Sequence, residues 1–117
     1  MANNVESQSC NNRSTKRLLL LVDVQYDFIN GSLAVEGAPA VMDNLAKYIA
    51  EKPKGTFDII VMTADNHPYE HSSFKVNGGI WPVHCVQHSH GASIYQPVFE
   101  AVKNQFLKAV VLTKGDD

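Results

Sequence analysis

All five histidines of this sequence, His67, His71, His84, His88 and His90, fall in one stretch that opens with Asp65. In Asp65-Asn66-His67, two ligand-type side chains stand at i and i+2, on the same side of an extended segment. His71 follows Pro68 and comes within reach once the chain turns, and His84 returns from the far side of Gly78-Gly79. One carboxylate and three imidazoles suit one divalent ion, zinc first and iron or manganese after it, with positions left for water or substrate. A single loop histidine is usually just solvated. Asp65, His67, His71 and His84 as a set favour a metal, and His88 and His90 are read as surface residues.

Asp23 and Lys114 form a second pair. Asp23 follows the aliphatic run Leu18-Leu19-Leu20-Leu21-Val22, and Lys114 follows Ala109-Val110-Val111-Leu112-Thr113. An Asp and a Lys at strand ends make an ordinary ion pair of small worth. The same two groups beside a thiol lower its pKa and carry its proton. The residues alone leave these readings level.

The elements that must position these groups follow from the hydrophobic pattern. Residues 17–24, aliphatic apart from Arg17 and Asp23, have the pattern of a strand covered on both faces. A polar turn spans residues 26–37, sharpest at Asn30-Gly31-Ser32. Pro39 suits the first turn of a helix whose apolar side carries Val41, Leu45, Tyr48 and Ile49, and Lys52-Pro53-Lys54-Gly55 ends it. Residues 57–63 read as a second buried strand. Residues 64–96 show no sustained period, and a stretch of that length inside a compact domain usually marks function. A short helix after Pro97 (Phe99, Val102, Phe106) and a third strand over 107–113 complete the chain. The order β-α-β-loop-α-β predicts an α/β fold with parallel strands and right-handed crossovers, half of a doubly wound, Rossmann-like sheet. Ligands collect at the carboxyl ends of such strands, where Asp23, Asp65 and Lys114 would share one rim.

Bulk properties narrow the partners. With 117 residues the chain fits one modest domain, and a net charge of -2 gives no reason to expect nucleic acid or an anionic membrane. Residues 1–16 read as a polar, disordered arm, leaving 17–117 as the domain. Arg13, Lys16 and Arg17 before the leucine run faintly resemble a leader. The apolar run breaks at Asp23, too short for a signal core or a membrane span. Cys10 and Cys85 make no disulfide framework, which fits a reducing, cytoplasmic location.

At the level of motifs, Leu21-Val22-Asp23-Val24-Gln25-Tyr26-Asp27-Phe28 with Gly31-Ser32-Leu33-Ala34-Val35 resembles the opening of nicotinamidases in the isochorismatase-like hydrolase family. So do Asp65-Asn66-His67-Pro68 with His71, Trp81-Pro82-Val83-His84-Cys85-Val86, and Lys114-Gly115. The resemblance implies hydrolysis of nicotinamide to nicotinate and ammonia in NAD salvage, through a cysteine thioester, with pyrazinamide as a further candidate amide. It implies Asp23 as catalytic acid/base and Lys114 as its partner. Asp65, His67 and His84 would bind the metal, with His71 a close or direct fourth ligand, and the ion would hold the pyridine ring nitrogen. Phe28 and Trp81 match the aromatic walls about the ring, although ordinary core packing is the other use for both.

The family nucleophile is a Cys several tens of residues beyond the catalytic Lys, whereas this sequence ends at Asp117. Cys85 matches a non-catalytic position of the family motif, and Cys10 lies in the arm. The expectation is therefore a truncated chain, inactive alone, with a non-catalytic metal-binding fragment or inactive paralogue as the alternative. Its first strand, central in the complete sheet, would become a bare aliphatic edge, which predicts marginal solubility or a homo-oligomer.

Overall fold

A computed structural model of the chain describes residues 15–105 and 108–116; the expected arm therefore lies almost wholly outside the described residues, as do Phe106 and Leu107. Three parallel strands form one sheet in the order β1 (Leu18–Val22), β2 (Ile59–Asp65) and β3 (Ala109–Lys114). Leu18 pairs with Ile59 and Val22 with Thr63; on the other side Ile60 pairs with Ala109 and Asp65 with Lys114. A single turn of helix, α1 (Tyr26–Ile29), sits within the expected polar turn and buries Ile29. The crossovers carry α2 (Ala38–Glu51) and α3 (Gln96–Gln105). This is the expected α/β half-sheet.

Gly37 at φ 82 turns the chain into α2, and Pro39 occupies the first turn, where its missing N–H is not needed. The face that packs inward is Ala38, Met42, Leu45, Ala46 and Ile49, so Val41 and Tyr48 lie exposed beside the expected stripe. In α3 the inward residues are Val98, Ala101 and Val102, and Phe99 is turned partly to solvent. The Gln105 amide donates to the carbonyls of Ala50 and Lys52, giving partners to backbone groups that the end of α2 leaves open.

One expectation changes. Both crossovers step the same way along the sheet, and both helices pack into one core, on one face of the sheet, as crossovers of one hand require. Leu21, Ile60 and Met62 point into that core with Ile49, Val98 and Val102. The opposite face is open: Leu18, Leu20 and Val22 are 56%, 52% and 59% exposed, and every residue of β3 is exposed. The run Leu18–Val22 is thus covered on one face, not two. No helix among the described residues is long and apolar enough to cross a membrane.

The long segment between β2 and α3 is not structureless. It holds short 3-10 turns at Lys75–Asn77 and His90–Ala92 and single bridges His67–Val86 and Phe74–Trp81. Phe74 and Cys85 are fully buried beneath it. That small second core is what gives the histidines fixed positions.

Candidate metal centre and pocket

Asp65 is the last residue of β2 and Lys114 the last of β3, paired side by side. Asp23 follows the end of β1, where its N–H makes the last rung, to the Thr63 carbonyl. Its φ of 57 lies in the left-handed region that Asp tolerates better than most residues. There Thr63 Oγ1 donates to its Oδ1 at 3.1 Å. Lys114 Nζ lies 2.9 Å from Asp23 Oδ1, 3.0 Å from its Oδ2 and 2.7 Å from Asp65 Oδ1. Burial pushes the Lys114 pKa down, but its hydrogen bonds to Asp65 and Asp23 outweigh that and leave it raised. Lys114 is therefore an ammonium shared by two carboxylates.

The second oxygen of Asp65 faces the histidines. Its Oδ2 is 3.5 Å from His67 Nε2 and 3.9 Å from His84 Nε2, and donor atoms of the three residues lie within 4.8 Å of one another. His67 Nδ1 is 2.7 Å from the Gly115 carbonyl and His84 Nδ1 2.7 Å from the Pro82 carbonyl. A carbonyl only accepts, so each Nδ1 carries a proton, and in the neutral ring Nε2 then presents a lone pair. With both rings neutral, three lone-pair donors converge there, at spacings longer than ordinary hydrogen bonds. A divalent cation resolves that arrangement, and the backbone carbonyls behind the rings fix their tautomers as outer partners of metal-binding histidines do.

His71 stands beside this set, its ring centroid 4.3 Å from that of His67. Its Nδ1 accepts the Ser73 N–H at 3.2 Å and lies 2.7 Å from Ser73 Oγ, so in this tautomer Nε2 carries the proton. The structure brings together Asp65, His67 and His84 and leaves His71 on the pocket wall. His88 and His90 are exposed, and His90 stacks on Tyr26 with centroids 4.0 Å apart.

The pocket at this rim has a volume of about 390 Å³ and is lined by Asp23, Asp65, the three inner histidines, Ser73, Phe28, Leu33 and Trp81. The Phe28 ring lies 5.7 Å from that of His84. Trp81 remains 46% exposed. Small size, aromatic walls and a few convergent polar groups suit a flat, ring-bearing small molecule.

Three supporting residues escaped sequence reasoning. Gln25 is fully buried and hydrogen-bonds the backbone of Asp65. Asp27 Oδ2 accepts the Cys85 N–H at 2.7 Å, anchoring the residue after His84. Gly115 has φ 75, and a Cβ there would come 2.5 Å from His67 Cε1. Only a glycine lets that carbonyl approach the ring. Gly115→Ala is expected to cost about 1–3 kcal/mol in urea unfolding, from left-handed strain and displacement of the ring. It should also reduce zinc retention; unchanged values of both would refute this account.

Cys85 is fully buried, and its thiol pKa is pushed up to about 12 by burial first and then by Asp27, Asp65 and Asp23, with Lys114 a smaller opposing influence. A reactive thiol needs the reverse environment.

No protein-family model matches the chain. It is 31% identical to the nicotinamidase of Escherichia coli over 117 aligned residues, covering 86% of this chain and 52% of that protein. The nicotinamidase/pyrazinamidase of Mycobacterium tuberculosis is 39% identical over 83 residues, 68% of this chain and 44% of that one. Among solved structures, the L. infantum protein in complex with nicotinate superposes with TM-score 0.75 at 34% identity, over 90% of this chain and 50% of that one. The Pyrococcus horikoshii pyrazinamidase in complex with zinc gives 0.71 at 33% identity, over 88% and 54%.

The chain is similar to one part of the nicotinamidases, in sequence and in fold. It spans about half the length of the curated nicotinamidases it matches. The nicotinamidases are amidohydrolases, and the three-stranded α/β unit matches their isochorismatase-like fold.

Proposed function

We propose that this chain carries the metal- and ring-holding side of a nicotinamidase-type site, serving hydrolysis of nicotinamide to nicotinate and ammonia in NAD salvage in the cytoplasm. The observation that carries the reading is the meeting of the Nε2 atoms of His67 and His84 with Asp65 Oδ2, each Nδ1 turned to a backbone carbonyl, beside a pocket walled by Phe28 and Trp81. Asp65, His67 and His84 would hold the ion, with His71 placed to complete the set by rotating away from Ser73. Zinc is the favoured metal for two imidazoles and a carboxylate. When bound it supplies a Lewis-acid anchor for the nitrogen of a pyridine ring. Phe28 and Trp81 flank the ring, which sets the amide toward Asp23 and Lys114. There Asp23 would take the proton of a thiol supplied by the nucleophile-bearing half, with Lys114 stabilising the thiolate. The sulfur bonds to the amide carbon, the C–N bond breaks as the proton passes to the leaving ammonia, and water then cleaves the thioester to the acid. Pyrazinamide, with the same ring shape and amide, would enter equally.

Cys85, the cysteine among the described residues, is sealed and neutral. That favours a second reading, a metal- and ligand-binding chain without turnover of its own. The zinc-loaded chain should bind nicotinamide by calorimetry yet release no ammonia. Joined to the nucleophile-bearing half of a nicotinamidase, it should release ammonia from nicotinamide. No turnover in the joined protein with metal bound removes the enzymatic reading and leaves the second.

A further inference from the structure

The last rung between β1 and β2 is the bond from Asp23 N–H to the Thr63 carbonyl. Beyond it β1 turns away at Asp23 while β2 continues to Asp65, whose own N–H and C=O face the vacated side. One side chain fills that place. Gln25 Oε1 accepts the Asp65 N–H at 3.0 Å, and Gln25 Nε2 donates to the Asp65 carbonyl at 2.8 Å. The same amide group donates to the Ala92 carbonyl at 2.8 Å, and residues 25 and 94 form a backbone bridge. The amide imitates one residue of a neighbouring strand and pins the end of β2 to the turn at His90–Ala92.

We propose that Gln25 is a positioning residue for the metal centre, holding Asp65 so that its Oδ2 meets His67 and His84 while its Oδ1 stays on Lys114. The proposal rests on the metal reading above. Gln25 is fully buried, so water does not replace its bonds when it is removed. Loss of the amide leaves three backbone groups without partners and frees the one carboxylate of the donor set to swing. Gln25→Glu keeps the size and the acceptor but removes both donated bonds and sets an acidic group against two carbonyls.

The test is zinc affinity of the full 117-residue chain, read by competition with a chromophoric chelator, together with the visible spectrum of the cobalt-substituted chain. Gln25→Ala and Gln25→Glu are expected to weaken zinc roughly ten- to hundredfold, as removal of an outer partner of a metal ligand does, and to shift the cobalt bands. Val98→Ala, a cavity in the helix-packed core that includes none of the donor residues, controls for stability alone and should leave affinity within about twofold and the bands in place. Gln25→Glu keeps the test open should the alanine variant fail to fold. Unchanged affinity in a folded Gln25 variant, or an equal loss in Val98→Ala, overturns the proposal. Absence of zinc uptake by the parent chain overturns the metal reading beneath it, which is a separate and visible failure.

Discussion

His84→Ala is expected to lower the zinc affinity of the chain by about a hundredfold or more. Structural zinc sites bind with roughly 10–16 kcal/mol shared among about four ligands, so one imidazole is worth roughly 3 kcal/mol. His84 is the cleanest of the donors to remove. Asp65→Ala also deprives Lys114 of a partner at 2.7 Å, and His67→Ala disturbs the packing of Gly115. His84 is held through Nδ1 by Pro82, and the backbone of Cys85 is tied separately to Asp27, so the loop keeps its main-chain anchor without the ring. The consequence extends to stability, because an ion that binds only the folded chain adds RT ln(1 + [Zn]/Kd), about 2.7 kcal/mol at a free concentration of 100 Kd. Zinc should therefore raise the melting temperature of the parent and leave that of the variant nearly unmoved. Equal zinc content after dialysis against a weak chelator, in parent and variant, would remove His84 from the donor set.

The second large effect concerns Cys85. At pH 8, alkylation of Cys85 by iodoacetamide should be about a thousandfold slower in the folded chain than in urea, because its pKa moves from 9.0 to about 12 and only the thiolate reacts. Full burial of the side chain slows it further. Quantifying the Cys85 peptide by mass spectrometry separates it from Cys10. The direction of the linkage follows from a raised folded-state pKa. The neutral thiol's contribution to stability is present in full below about pH 9 and is lost as the pH climbs toward about 12. Comparable labelling rates in the folded and unfolded chain would contradict the sealed environment and reopen Cys85 as a nucleophile.

Much of the architecture was legible because two periods differ. The aliphatic runs before Asp23, Asp65 and Lys114 are too short and continuous for surface helices, and residues 38–51 carry an apolar stripe at helical spacing. The donor set was legible because side chains carry that chemistry and Asp65 and His67 lie two residues apart. What stayed hidden arises from backbone and from topology. In Leu18-Leu19-Leu20-Leu21-Val22 every residue is apolar, so composition does not say which face is covered; the shared direction of the two crossovers does. Val41 and Tyr48 fit a helical stripe as well as Met42 and Ala46 do, and only the packed partner separates them. A buried glutamine reads as surface in any composition argument, and Gly115 reads as a turn. The separation of His71 from the cluster depends on a hydroxyl and an N–H of Ser73, which spacing does not reveal.

The sharing of Lys114 also governs the order in which the cleft can fill. With the imidazoles neutral, two carboxylates and one ammonium leave the rim with a surplus of one negative charge. In that state it draws cations inward and turns anions away. Capture of a divalent ion reverses the polarity to a surplus of one positive charge, and the same cleft then welcomes a carboxylate. Metal first and acid second is the sequence of arrival that Coulomb's law imposes.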